Sequence, residues 1–158
     1  MPSWKVHEKY AKRFGVNEEV AKAIDRIIDN PEFHDFGGRE SVGKLIYYVV
    51  KEIYPTYGVE GVKAALLHHL LDYMQWWRKR APALTFARGL DILNRIENFS
   101  VWRLDDDALG ILMESMREDD AERFKTMWAL GYEFKRIVKE LREFIHQQPS
   151  DELMEDLE

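Results

Sequence analysis

Apolar residues recur along most of the chain with the period of an α-helix, and no stretch of four or more residues alternates cleanly between apolar and polar side chains. This pattern predicts six or seven helices and no sheet. The predicted helices cover residues 3–14, 17–30, 40–54, 59–79, 84–99, 105–116 and 119–145. The last of these has the longest apolar stripe, so it is the most strongly predicted helix. We expect an all-α fold packed around the third, fourth and seventh helices.

The length of the chain indicates one domain. Its 158 residues are close to the usual size of a single domain, and 46% of them are hydrophobic, which is enough for a sizeable core. Residues 31–39 contain a proline and two glycines and are predicted to form a loop. Residues 149–158 are acidic with few apolar side chains, so we expect a single compact domain over residues 1–148 and a mobile acidic tail over residues 149–158.

Composition narrows the classes of function. The net charge of −6 disfavours nucleic acid as a partner. No apolar run has the length of a membrane span, and the first residues lack an apolar signal core, so we expect a cytoplasmic protein without a membrane partner. The absence of cysteine leaves histidine and carboxylate as the strong metal ligands. A charged fraction of 33% with four asparagines and three glutamines is typical of a thermophile.

The histidines provide the main chemical signal because they lie near carboxylates. His7 is next to Glu8, His34 is next to Asp35, and the pair His68–His69 precedes Asp72 by four and three residues. On a helix, either ring of the pair can therefore lie beside the Asp72 carboxylate. A helical wheel puts His69 about 60° and His68 about 160° from the middle of the apolar stripe, so we expect His69 to face inward and His68 to face solvent. Two interpretations stay open, a buried histidine bonded to Asp72 or a divalent metal site.

Two segments carry a resemblance to a known family. Residues 40–54 read ESVGKLIYYVVKEIY, and residues 62–72 read VKAALLHHLLD. Together they resemble the core of the HD-domain metal-dependent phosphohydrolases, in which one helix opens with a histidine and another ends in Leu-Leu-His-Asp. In this register His68 matches the histidine of the motif, His69 stands where the aspartate belongs, and Glu40 stands where the first histidine is expected.

A second register of the same resemblance uses His34 and Asp35 as the His-Asp pair and His7 as the upstream histidine. It keeps both types of ligand but has Asn-Pro-Glu-Phe before the pair, where the family has a buried apolar helix. The family also has a distant aspartate. In either register this residue could be Asp91 or one of the three aspartates at 105–107, for which a helix cap is the alternative interpretation.

The resemblance implies an HD-like helical bundle with a metal-dependent hydrolase activity on a small phosphorylated substrate, either a phosphoester or a nucleotide. The ligand types suit Mn, Fe, Co, Ni or Zn. The candidate metal ligands are His7, His34, Asp35, His68, His69 and Asp72. The sequence leaves open whether the chain forms a homo-oligomer.

A competing feature follows the histidine pair, where two tryptophans precede three basic residues. Aromatic rings can stack on bases while Arg and Lys neutralise phosphates, which is how single strands are commonly bound. The residues of this candidate nucleic-acid or partner patch are Trp76, Arg78, Lys79 and Arg80. The alternative function is therefore a non-catalytic helical module with a degenerate HD-like fold that binds protein or nucleic acid. The interpretation without any binding function is that the aromatic rings belong to the core and the basic residues complement the helix dipole at the C-terminal end of the helix.

Overall fold

The computed structural model describes residues 3–29 and 42–158, and everything said below about structure concerns these residues. They are helical throughout, with no strand, which confirms the all-α class predicted from the apolar period. The α-helices are α1 (Trp4–Arg13), α2 (Glu18–Ile28), α3 (Val42–Tyr48), α4 (Tyr54–Arg80), α5 (Thr85–Glu97), α6 (Asp106–Glu114), α7 (Glu118–Ala129), α8 (Gly131–Gln147) and α9 (Ser150–Asp156). No helix in these two ranges combines the length and the apolar character needed to cross a membrane.

Side-chain caps start the first two helices. The Ser3 hydroxyl accepts a hydrogen bond from the backbone N–H of Val6, and the Asn17 side chain accepts from the N–H groups of Glu19 and Val20. Each cap satisfies a backbone donor that has no partner within its helix. Between the helices Gly15 has a φ of 81°, a conformation that glycine adopts without steric cost. The chain therefore turns sharply, and α2 packs beside α1.

The long helix α4 lies at the centre of the fold. A short π-helical segment, Val49–Ile53, leads into it from α3. Gly58 has a φ of 62° and a ψ of −153°, so the helix is kinked at this residue. From residue 61 to residue 75 most side chains are buried on every side of α4, because α1, α2, α5 and α8 all pack against it.

The helix predicted over residues 119–145 is two helices, α7 and α8, which meet at Leu130. The indole ring of Trp102 fills the junction, where a side-chain carbon on residue 131 would lie only 2.7 Å from the ring. Only glycine at position 131 allows this contact without a shift. The Trp102 indole N–H also donates to the Met127 carbonyl at 2.9 Å. The apolar stripe continues through both helices, which is why its period alone predicts a single helix.

The acidic segment expected to be a mobile tail forms α9 instead. Leu153 and Leu157 are four residues apart, so they share one face of the helix, and both are fully buried in the core. The carboxylate of Asp156 accepts hydrogen bonds from the Tyr10 hydroxyl at 2.6 Å and from Lys9 at 2.7 Å. The apolar side chains that looked isolated in the sequence therefore attach α9 to the core, while its acids pair with α1.

Candidate metal centre

Helices α1 and α4 bring two histidines and one carboxylate together in the interior. The Nε2 atom of His7 lies 3.1 Å from Oδ1 of Asp72, and Nε2 of His68 lies 3.2 Å from Oδ2 of the same carboxylate. One ligand atom from each residue lies within 4.8 Å of the others, and among the described residues this is the group that could hold a metal ion. Both histidines are buried, and the Asp72 side chain keeps 19% of its surface exposed.

The two imidazole rings are stacked on each other. Their centroids are 3.8 Å apart, and their planes differ by 4°. Because both rings turn Nε2 toward Asp72, their Nδ1 atoms lie on the opposite edge of the stack. The arrangement thus has one edge where both Nε2 atoms meet a carboxylate and a second edge formed by the Nδ1 atoms.

Helix α2 adds two carboxylates that the sequence interpretation missed. Oδ1 of Asp25 lies 2.8 Å from Nδ1 of His68, and Oδ1 of Asp29 lies 3.5 Å from Nε2 of the same ring. The second oxygen of Asp29 accepts a hydrogen bond from the Trp4 indole N–H. We call His7, Asp25, Asp29, His68 and Asp72 the His/Asp cluster.

The cluster forms because pairs of residues four apart on two helices face each other. Asp25 and Asp29 lie one turn apart at the C-terminal end of α2, and His68 and Asp72 lie one turn apart on α4. The two helices pack together. The i, i+4 spacing of Asp25 and Asp29 was visible in the sequence. Neither aspartate lies within four residues of a histidine along the chain, so a search for carboxylates near histidines did not select them.

The orientation predicted for the histidine pair is wrong for His68. We expected His68 in solvent and His69 inward, and both side chains are buried. The prediction treated α4 as a helix with one buried face, whereas α1 and α2 cover the flank that carries His68. The His69 ring stands edge-on to His68, with centroids 6.0 Å apart, and it does not belong to the metal-binding group.

Burial and the carboxylates shift the pKa values of neighbouring groups in opposite directions. Burial alone would lower the pKa of His68, but its hydrogen bond with Asp25 and the nearness of Asp29 and Asp72 outweigh burial and raise this pKa well above the ordinary value. Burial would raise the pKa of Asp72, but its contacts with His68 and His7 hold it below the ordinary value. For His69, burial and the neighbouring His68 charge lower the pKa to about 3. His69 is therefore neutral at neutral pH.

Several buried polar atoms of the cluster have no hydrogen-bond partner, namely Nδ1 of His7, Oδ2 of Asp25, Oδ1 of Asp29 and Nε2 of His68. The last of these lies within ion-pair distance of two carboxylates without a hydrogen-bond geometry. Buried polar groups of folded proteins nearly always have partners, so this concentration of unsatisfied atoms in one place calls for a ligand. Imidazole nitrogen and carboxylate oxygen suit Mn, Fe, Co, Ni and Zn, so the donor set fits the predicted ions.

The remaining predicted ligands are distributed elsewhere. His34, Asp35 and Glu40 lie outside the described residues. Asp91 is an exposed residue of α5 with Oδ2 3.8 Å from Arg88, and Asp105 caps α6 by accepting from the Ala108 N–H at 2.8 Å. Neither belongs to the cluster. Asp105 has the helix-cap role that was the alternative to metal binding.

The candidate nucleic-acid or partner patch lies at the end of α4, and arginine side chains cover the tryptophan rings there. The guanidinium of Arg80 lies 4.1 Å from the centre of the Trp76 ring, and that of Arg88 lies 4.7 Å from the Trp77 ring. Arg78 donates to the Met154 carbonyl of α9 at 3.1 Å and to Glu158 at 2.9 Å. Lys79 is exposed beside them. Stacking of a base on Trp76 or Trp77 would first require these arginines to move.

Comparisons of the chain with models of protein families, with curated proteins and with solved structures find no match.

Proposed function

We propose that this chain is a metal-dependent phosphohydrolase whose divalent ion is held by His7, His68 and Asp72. The observation that carries the proposal is the convergence of their ligand atoms within 4.8 Å, although His7 and Asp72 lie 65 residues apart in the sequence. A divalent ion there would lower the pKa of a water molecule and neutralise charge on a phosphate oxygen.

The balance of charge in the cluster favours a cation. Three carboxylates face two imidazoles, so even with both rings protonated one negative charge is left over when all three acids are ionised. Uncompensated charge in a protein interior is costly, and a bound cation removes the excess. The excess negative charge arises because Asp25 and Asp29 of α2 lie beside the three proposed ligands.

The geometry also suggests where a substrate would approach. His7 and His68 are enclosed, whereas Asp72 and Asp29 keep 19% and 15% of their side-chain surface exposed. Trp4, which holds Asp29, is itself half exposed. The ion would thus be reached along the edge formed by Asp72, Asp29 and Trp4. We place the phosphoester or nucleotide substrate on this edge.

The HD-like resemblance is part of the proposal. The register with the His34–Asp35 pair contributes His7 to the cluster, and the register with Leu-Leu-His-His contributes His68. Each register therefore accounts for one proposed ligand, and Asp72 would take the place of the family's distant aspartate.

The experiment that tests the proposal is elemental analysis of the purified, untagged protein. We expect about one Mn, Fe, Co, Ni or Zn ion per chain in the wild type, and little in His68→Gln or Asp72→Asn. The matched controls are His69→Gln, which changes the adjacent buried ring outside the group, and His146→Gln, which changes an exposed histidine. Both controls should keep the metal. Hydrolysis of a chromogenic phosphodiester should follow metal content across the set.

A wild type that retains no metal after dialysis against each ion would contradict the proposal. Equal loss of metal in His69→Gln and His68→Gln would contradict the assignment of ligands. Far-UV circular dichroism of every variant separates the loss of a ligand from the loss of the fold.

A non-catalytic role is the second candidate, and the raised pKa of His68 favours it. A protonated His68 among Asp25, Asp29 and Asp72 is an ion-pair network that needs no metal. In this case the cluster would fix the packing of α1, α2 and α4, and function would reside in binding a protein or a nucleic acid. Salt-dependent binding of single-stranded nucleic acid that is lost when Trp76 and Arg80 are both changed to Ala would support this candidate.

A further inference from the structure

A small cavity lies against the His/Asp cluster, and Asp72 is not among the residues that line it. Its volume is about 10 Å³, which is close to the least that holds one water molecule. His7, Asp25 and His68 line it together with Leu67 and alanines 11, 21 and 64. Three polar side chains and three alanines therefore make up most of its lining.

Three unsatisfied atoms belong to the residues that line this cavity, and one of them, Nε2 of His68, is turned toward Asp72. The other two belong to His7 and Asp25. His7 turns Nε2 toward Asp72, which leaves its buried Nδ1 without a partner. Asp25 turns Oδ1 toward Nδ1 of His68, which leaves its buried Oδ2 without a partner. A water molecule that accepts from an Nδ1–H of His7 and donates to Oδ2 of Asp25 would satisfy both.

We propose that Asp25 is a positioning residue that holds both imidazoles with a proton on Nδ1, His68 by a direct hydrogen bond and His7 through one water in the alanine-lined cavity. The inference rests on the proposed metal site, to which it leaves the Nε2 atoms of both rings. Asp25 itself contacts neither the ion nor the substrate.

The stacking of the rings explains how one carboxylate can serve two histidines. The rings are parallel and both turn Nε2 toward Asp72, so both Nδ1 atoms lie on the same edge. Asp25 lies on that edge, with one oxygen engaged by His68 and the other available for the water. Metal-binding histidines usually donate their second N–H to a carboxylate, a carbonyl or a water, which fixes the tautomer and the ring orientation.

The same arrangement accounts for residue choices that are otherwise unfavourable. A buried aspartate on the packed face of α2 is destabilising unless its oxygens are hydrogen-bonded. A larger side chain at position 11, 21 or 64 would fill the space that the water needs. The alanines therefore serve to leave room for the water, and the aspartate serves to orient the two rings.

The test combines zinc affinity with nitrogen NMR of the histidine rings. Protein with ¹⁵N-labelled histidine is loaded with Zn²⁺, and we expect His7 and His68 both to carry a proton on Nδ1 and to bind zinc through Nε2. Asp25→Asn should weaken zinc binding about 10-fold to 100-fold, because the amide no longer favours the required tautomer. Asp91→Asn, a change of the same chemistry at an exposed position, should leave the affinity unchanged within about twofold.

A second variant tests the water separately and does not depend on the fold surviving at Asp25. Ala64→Val adds two methyl groups to a residue that lines the cavity and leaves the side chains of the His/Asp cluster themselves unchanged. We expect about threefold to tenfold weaker zinc binding, a changed Nδ1–H signal for His7 and an unchanged one for His68. An affinity equal to that of the wild type would overturn the water-mediated link.

The outcomes also separate this inference from the proposed function. A wild type that binds no zinc would refute the metal centre, and the positioning role with it. A wild type that binds zinc with Nδ1 as the ligand atom, or an Asp25→Asn variant with undiminished affinity, would refute only the positioning role.

Discussion

The two ends of the bundle are held together in different ways. At one end α1, α2 and α9 surround the C-terminal half of α4, and their contacts include the His/Asp cluster and the pairing of Asp156 with Lys9 and Tyr10. We call this the cluster end. At the other end, which we call the α6–α7 end, α6 buries only Leu109 and α7 buries only Met127.

The α6–α7 end depends on a few specific bonds rather than on a large core. The indole N–H of Trp128 donates to the Leu104 carbonyl at 2.9 Å, and that of Trp102 donates to the Met127 carbonyl. Ile111 is 69% exposed and Leu112 is 40% exposed. Each hydrogen bond of this kind contributes about 1 kcal/mol to the free energy of unfolding, so the α6–α7 end contributes little to the stability of the fold.

The comparison shows that buried charge can coexist with dense packing when every charged group faces a partner. At the cluster end the five polar residues lie among fully buried apolar neighbours such as Tyr10, Ile24 and Leu71. Removal of one partner should leave buried polar atoms of another residue without their hydrogen-bond or ion-pair partner in that core, whereas a comparable change at the α6–α7 end should meet solvent.

The largest effect should follow from Asp72→Ala in metal-free protein. The change leaves His7 and His68 without the carboxylate that they share, and we expect a loss of about 3–5 kcal/mol in the free energy of unfolding. Urea denaturation followed by circular dichroism measures it. Asp91→Ala, at an exposed position, should change stability by less than about 0.5 kcal/mol. A loss below about 1 kcal/mol for Asp72→Ala would remove the distinction between the two ends.

The next largest effect should come from Leu153→Ala in α9. Leu153 is fully buried, so the truncation should create a cavity and lower the free energy of unfolding by about 2–5 kcal/mol. Leu112→Ala in α6 is the matched control, because the same atoms are removed from a side chain that is 40% exposed. Thermal unfolding of both variants checks the prediction. Equal melting temperatures would mean that α9 is not part of the core in solution.

The effect that is smallest near neutral pH is the pH dependence that His69 imposes. The unfolded chain protonates this ring near pH 6.5, but the folded protein does so only near its pKa of about 3. The unfolded state therefore binds more protons between these values, and stability falls as the pH is lowered through them, by up to about 1.4 kcal/mol per pH unit. His69→Gln should reduce this slope between pH 6 and pH 4. Urea midpoints at several pH values give the slope, and parallel curves would contradict the assignment.

The all-α class and the positions of several helices could be predicted from the sequence, because the period of the apolar residues indicates which side chains are buried. Helices α1, α2 and α5 lie within about two residues of the bounds that the pattern predicts. The α7–α8 junction could not be predicted, since it depends on the Trp102 ring, which comes from another part of the chain. Helix α9 was missed because a seven-residue helix, with one leucine inside it and a second directly after it, is stable only when it docks on a core that already exists.

The candidate site was predictable in its residue types and not in its assembly. His7, His68 and Asp72 were among the predicted ligands, and the spacing of the last two on one helix already suggested a pair. Asp25 and Asp29 join them only because α2 packs across the flank of α4 that a one-faced helix would leave in solvent. The pairing of helices is a tertiary property, and a helical wheel drawn for one helix does not contain it.

The contact between α1 and α9 imposes an order on biosynthesis. Tyr10 and Asp156 are 146 residues apart in the chain, whereas His7 and Asp72 are 65 apart. A ribosome that has released the first eighty residues has delivered every member of the His/Asp cluster, but α1 cannot meet its C-terminal partner until residue 156 has emerged. The cluster can therefore assemble on the nascent chain, whereas the docking of α9 on α1 must wait until residue 156 has emerged.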